Sequence, residues 1–281
     1  MGLFGNSFNR PGPGVPKDAP RATGLKRYFE IIGRDFGSML KANLIVVAAF
    51  IPLMAGMCLA NPLLFTLLAG VLPEGVAAEQ LVPSLPLTLL SALVGGLLVG
   101  PALSGLYDTV MRALRDEPGY WWHTYKRAMK NNWKGSLLPG VIFSVLVCAE
   151  LYILELLLLG VIETSTLMLV VLGLNLLLCS MVFTCLFPQQ VLLNLSFGGL
   201  LKNSVFCAIG FVPRTLPAAL LQLAWWAAVL LFMPFTLLLL PFLGFWPIVL
   251  GSQLMIYKPL EKTLDLENRM RQLREGQEAE G

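Results

Sequence analysis

The chain has 281 residues, of which 56% are hydrophobic and only 13% charged, and its mean hydropathy is +0.73. Soluble domains carry about a quarter charged residues, so this balance excludes an ordinary soluble protein and predicts an all-α, polytopic helical membrane protein. One histidine and five cysteines with no CxxC pair spell out neither a metal cage nor a disulfide framework, and they disfavour acid–base catalysis at neutral pH; no metal and no cofactor is expected.

Residues 1–23 carry Pro, Gly and charge but no apolar run, which predicts a disordered cytoplasmic tail without a cleavable leader. Asn6 stands where a myristoylation motif needs Ser or Thr, so that modification is not expected. The stretch GLKRYFEIIGRDFGSMLKANL then places Leu25, Tyr28, Phe29, Ile32, Phe36, Met39 and Leu40 on one stripe, with Arg27, Glu30, Arg34 and Lys41 opposite. That pattern predicts an amphipathic helix lying at the membrane surface.

Spanning helices need about 20 mostly apolar residues. Four segments meet this, at residues 43–60, 87–113, 136–159 and 164–187. The run 216–257 is too long for one span, and Pro234, Pro241, Gly244 and Pro247 interrupt it. It splits into two helices, with a tight turn or broken helix between Phe232 and Gly244. Six spans with both termini cytoplasmic put every Lys and Arg on the inner side, while the outer segments hold only Glu74, Glu79 and Glu163. That asymmetry is the one expected of a multi-pass protein of the cell membrane. The membrane domain is residues 24–257, followed by a cytoplasmic tail at 258–281. The apolar stretch 63–72 is too short to span and reads as a re-entrant or interfacial outer helix.

Between the second and third spans lies PGYWWHTYKRAMKNNWKGSLL. Aromatics mixed with cations suit either nucleic acid or a membrane surface. Because the topology already accounts for basic residues beside a span, no nucleic-acid partner is expected. Tyr120, Trp121, Tyr125, Ala128, Met129 and Trp133 recur at helical spacing. Trp121, Trp122, Lys126, Arg127, Lys130 and Trp133 form a candidate docking surface for a cytoplasmic partner. A third such segment, LSFGGLLKNSVFCAIGF, precedes the fifth span. Similar patterns at Lys41-Ala42-Asn43, Lys130-Asn131 and Lys202-Asn203 suggest three repeats of an interfacial helix followed by a transmembrane hairpin.

Ionisable and amide groups inside spans are the default functional candidates. Glu150 lies mid-span, Glu155 nearer the outer surface, and Asn175 in the fourth span. Five residues place the two carboxylates about 140° apart around a helix, so they are not a catalytic pair. Glu150 is read either as a ligand or proton site or as a packing residue. Asp108 and Arg112 make a local i,i+4 pair, and Asn175 and Gln222 are placed to bond across helices. Gly95, Gly96, Gly100 and Gly105, with Pro101 and Ser104, give the second span a small-residue face for close helix approach or a substrate path.

RDFGSMLKANL, VGPALSGLYDTVMRALRDEPGYWWHTYKRAMKNNWKGSLL and FPQQVLLNLSFGGLLKNSVFCAIG, in that order, resemble the YesL family of bacterial integral membrane proteins, over about residues 24–262. Such proteins are typically encoded beside sugar ABC transporters and carbohydrate-degrading enzymes of Gram-positive bacteria. The resemblance implies a partner among sugar ABC transporter subunits; the family supplies no catalytic residue. Three functions are therefore ranked: a non-enzymatic accessory or regulatory subunit, a small-solute transporter acting on its own, and a membrane enzyme. The last is disfavoured by the lack of HExxH, GxSxG or clustered acids.

Overall fold

A computed structural model describes residues 21–60, 84–117, 120–158, 162–163, 165–193, 195–233 and 235–264. Among these the chain is all helix: α1 (Gly24–Ala60), α2 (Leu85–Leu114), α3 (Trp121–Leu158), α4 (Thr166–Leu192), α5 (Phe197–Gly210), α6 (Val212–Leu231), α7 (Phe235–Leu243) and α8 (Trp246–Leu264). Five helices (α1, α2, α3, α4 and α6) are long and apolar enough to cross a bilayer. The pair α7 and α8, bent by 56° at its break, makes a sixth if taken as one broken span. This is the build of a multi-pass membrane protein. The outer stretch 63–72 and the tail segments 1–20 and 265–281 lie outside the described residues.

The core forms around α2, because its sequence is small on several faces at once. The most apolar 18-residue window of α2 is 61% buried, against 22–33% in the other four spans. A Cβ built on Gly95 would lie 2.6 Å from the Leu53 side chain of α1, and one on Gly96 would lie 2.6 Å from Val141 Cα of α3. At Gly105 it would strike the Tyr125 ring at 2.5 Å. Gly140 faces Gly96 and Gly100 backbone to backbone. The small-residue stripe is thus used for close helix approach, the dispersion-driven packing that operates where lipid is as apolar as the helix faces. Behind it, Tyr107 stacks on Phe187 with centroids 5.2 Å apart, and Phe143 meets Phe183 edge-on at 5.1 Å, joining α2, α3 and α4.

One expectation changes. The predicted interfacial helices before the first and third spans are not separate elements: α1 runs unbroken for 37 residues and α3 for 38. At about 1.5 Å per residue each is roughly 55 Å long, well beyond a core of about 30 Å. Polarity changes at Lys41 and near Ser136, but the hydrogen-bond ladder has no reason to stop there; isolated Gly37 and Pro139 are accommodated within the helices. Only the third segment stands alone, as α5, where Pro213 in the first turn of α6 ends the preceding helix. Packing between neighbouring spans is uneven: α2 packs most extensively against α3, then α1, while α3 and α4 touch much less.

Candidate functional site

Three polar assemblies interrupt the apolar body. The first closes the C-terminus of α2. Asp116 adopts φ 58°, the left-handed conformation that usually belongs to glycine just past a helix end. Its N–H donates to Ala113 O at 3.3 Å and that of Glu117 to Arg112 O at 3.0 Å, the paired bonds of a Schellman motif. Three arginines from the start of the chain then converge. Arg27 Nη2 donates to Asp116 Oδ2 at 2.7 Å and to Leu114 O at 3.2 Å. Arg34 pairs with Asp116 and donates to Ala113 O at 2.7 Å, and Arg21 Nε reaches Asp116 Oδ2 at 3.0 Å. The last carbonyls of α2, left without intrahelical partners, are satisfied by guanidinium groups. Burial alone would raise the Asp116 carboxyl, but the Arg27 and Arg34 hydrogen bonds outweigh it and hold the group below the usual carboxylate range. Alongside, the expected Asp108–Arg112 pair forms at 2.7 Å, and buried Arg115 binds buried Glu117 at 2.9 Å.

The second assembly is the first half of α3. Tyr125 is buried, its hydroxyl donating to Ala102 O at 3.2 Å, and Trp121 packs on that ring at 5.3 Å with the Lys41 ammonium 5.6 Å from its own centroid. Trp121 is thereby half withdrawn from the predicted docking surface. Trp122, Lys126, Arg127, Lys130 and Trp133 all remain exposed. Tyr120 and Trp133, expected on the apolar stripe with Tyr125, are 79% and 43% exposed. The cationic face therefore carries aromatics of its own, on a helix anchored by Tyr125 to α2.

The third lies within the spans. Asn43, fully buried on α1, donates through Nδ2 to Leu240 O at 2.9 Å and Pro241 O at 2.8 Å. Its Oδ1 accepts from the N–H groups of Phe245 at 2.7 Å and Trp246 at 3.3 Å. Trp225 Nε1 donates to Gly244 O at 3.0 Å. The exposed backbone of the α7–α8 break is thus paired by side chains, as backbone at membrane depth must be. Elsewhere, Ser180 donates to Gln222 Oε1 at 3.2 Å and Gln222 Nε2 to Ser252 Oγ at 3.0 Å, linking α4, α6 and α8.

Glu150 and Asn175, named separately from the sequence, are brought together: Asn175 Nδ2 of α4 donates to Glu150 Oε1 of α3. Glu150 is 7% exposed and its Oε2 is buried without a hydrogen-bond partner. Glu155 is buried on the same helix. Among the described residues no group of three His, Cys, Asp or Glu side chains is arranged to hold a metal.

Sequence reasoning missed Asp116 and Asn43. The signal for Asp116 was the RDEPG turn directly after a helix; nothing local marks Asn43, whose partners lie 197–203 residues away. In comparison with known families, the family model described as "Protein of unknown function, DUF624" aligns with residues 63–154. That interval takes in all of α2, the Asp116 turn and α3 as far as Leu154. No curated protein and no solved structure matches.

Proposed function

We propose that this chain is a non-enzymatic accessory or regulatory subunit of the bacterial cell membrane, holding a cytoplasmic or membrane partner through the exposed face of α3. The observation that carries this reading is a rigid one. Trp122, Lys126, Arg127 and Lys130 project from a helix continuous with a span and pinned by Tyr125 to the most buried helix of the bundle. Exposed aromatics and cations on a preorganised support are what an anchor-type interface uses. The family match covers this same segment, and with it the Gly100-Pro101-Ala102 and aromatic-basic stretches on which the YesL resemblance rests. Six spans with both termini inside, three inner helical segments, and a sugar ABC transporter as the partner belong to this proposal.

Its test is a mild-detergent pull-down of the tagged protein from its native host. Transporter subunits recovered in fixed ratio support it. Reversal of Lys126, Arg127 and Lys130 to Glu should cut that recovery at least tenfold while the melting temperature in detergent stays unchanged. Undiminished recovery would remove the docking face.

The Glu150–Asn175 pair favours a second reading, a small-solute transporter, since a buried carboxylate with one oxygen unpartnered is a default ligand or proton site. Uptake in proteoliposomes that collapses in Glu150→Gln, with folding retained, would select it. Glu150→Gln indistinguishable from wild type would leave the carboxylate a packing group.

A further inference from the structure

A cavity of about 1070 Å³ lies between the start of α1, α6 as far as Trp225, and α8, larger than the roughly 300–1,000 Å³ of most small-molecule sites. Its two long walls are graded in the same direction. Along α6 the lining passes from Arg214 through Leu221 to Trp225; along α8, running the opposite way, it passes from Lys262 and Lys258 through Met255 to Pro247. At about 1.5 Å per residue the α6 wall measures roughly 16 Å and the α8 wall roughly 22 Å, close to one leaflet of a bilayer whose core is about 30 Å thick. Tyr28 of α1 forms the third side, its hydroxyl donating to Pro247 O at 3.3 Å.

Only part of the positive charge at the basic end of the groove is spent on the protein itself. Arg27 and Arg21 there are engaged with Asp116. Arg214, Lys258 and Lys262 are exposed and, among the described residues, form no ion pair. One carboxylate, Glu261, sits beside them. Three available cations above an apolar slot, with Leu221 and Met255 exposed at its lips, complement a molecule with an anionic head and a long apolar body. All three lie on the side that the charge distribution assigns to the cytoplasm.

We propose that this groove binds one anionic phospholipid of the cytoplasmic leaflet, its phosphate held by Arg214, Lys258 and Lys262 and its acyl chains lying along Tyr28, Leu221 and Trp225. Three cations around the phosphate favour a head whose negative charge no choline offsets, and the apolar walls retain the chains.

The full-length protein, delipidated in detergent, would be titrated with phosphatidylglycerol or phosphatidylcholine and the bound stoichiometry read by native mass spectrometry. One phosphatidylglycerol per chain should bind at least tenfold more tightly than phosphatidylcholine. Arg214→Gln/Lys258→Gln/Lys262→Gln, all surface changes, should abolish that preference. Gly251→Leu leaves the charge intact but pushes into the slot, since even a Cβ there lies 3.3 Å from Leu221 Cδ2 and 3.9 Å from the Tyr28 ring; it should abolish the tight site too. Neutralising Lys126, Arg127 and Lys130 should change nothing. Equal binding of the two lipids by the wild type, or a preference that survives in the triple variant or in Gly251→Leu, would overturn the assignment.

Discussion

At two helix ends among the described residues, side chains from α1 or just before it satisfy the backbone, and the two repairs differ in kind. At the Asp116 turn three arginines and a carboxylate satisfy the end of α2; at the α7–α8 break a single neutral amide, Asn43, pairs four backbone groups. Solvent access explains the choice. The Asp116 side chain keeps 32% of its exposure, so water can carry part of the desolvation that a charge cluster would otherwise suffer. Asn43 has none, and an amide supplies two donors and an acceptor without placing a charge in hydrocarbon. The lesson is that the same task, closing orphaned backbone groups, is met by charge at the rim and by dipoles at depth.

The sharpest way to break this contrast is Asn43→Leu, which keeps the branching at Cγ while stranding Leu240 O, Pro241 O and two N–H groups. Hydrogen bonds within membranes average about 0.6 kcal/mol, with values up to about 1.7. Losing four from a fully buried site should cost roughly 2–4 kcal/mol, read as reduced stability in mixed micelles that added salt does not alter. A loss under about 1 kcal/mol would mean that the break is held by packing, including the Trp226 and Phe50 rings on Phe245 at 5.0 and 4.7 Å.

Asp116→Ala should have a smaller effect, about 1–3 kcal/mol given hydrogen bonds to charged groups and partial exposure, and salt should shrink it. The pH dependence has a definite sign. The folded carboxyl lies below its unfolded value of about 3.9, so its contribution is complete above about pH 4 and disappears as pH falls through the lower folded value. The stability difference between wild type and Asp116→Asn should therefore be flat at neutral pH and vanish in acid. No difference between the two at neutral pH would show that the arginines act only on the Ala113 and Leu114 carbonyls.

How much of this was legible follows from range. Five of the spans, the break in 232–244 and the glycine face of α2 are written in local composition and in 3.6-residue periodicity, and the structure has them. The partners of Asn43 and Asp116 are not local: Arg27 reads as one cation on a polar stripe until the fold brings it to a residue 89 positions away. The three Lys-Asn patterns differ in setting for the same reason. Asn43, Asn131 and Asn203 sit in similar tetrapeptides, yet Asn43 is buried while Asn131 and Asn203 are exposed, because tertiary neighbours and not the local pattern fix each environment. α1 and α3 run past the points where polarity changes, because a polarity boundary does not end a hydrogen-bond ladder. Of the candidate site, the exposure of Lys126, Arg127 and Lys130 was readable from spacing, and the Glu150–Asn175 contact was not.

The smallest expected effect separates the two jobs that Asp116 performs. Its carboxylate gathers Arg21, Arg27 and Arg34, while its backbone sits at φ 58°, where a Cβ costs roughly 1 kcal/mol and glycine costs nothing sterically. Asp116→Gly loses the ion pairs but relieves that strain; Asp116→Ala loses both the pairs and the short polar side chain that tolerates αL. Glycine should therefore be about 1 kcal/mol less destabilising than alanine at this position, measured by the same unfolding assay. Equal losses would mean that the turn abandons its left-handed geometry once the arginines let go, making the ion cluster, and not the Schellman bonds, what shapes the end of α2.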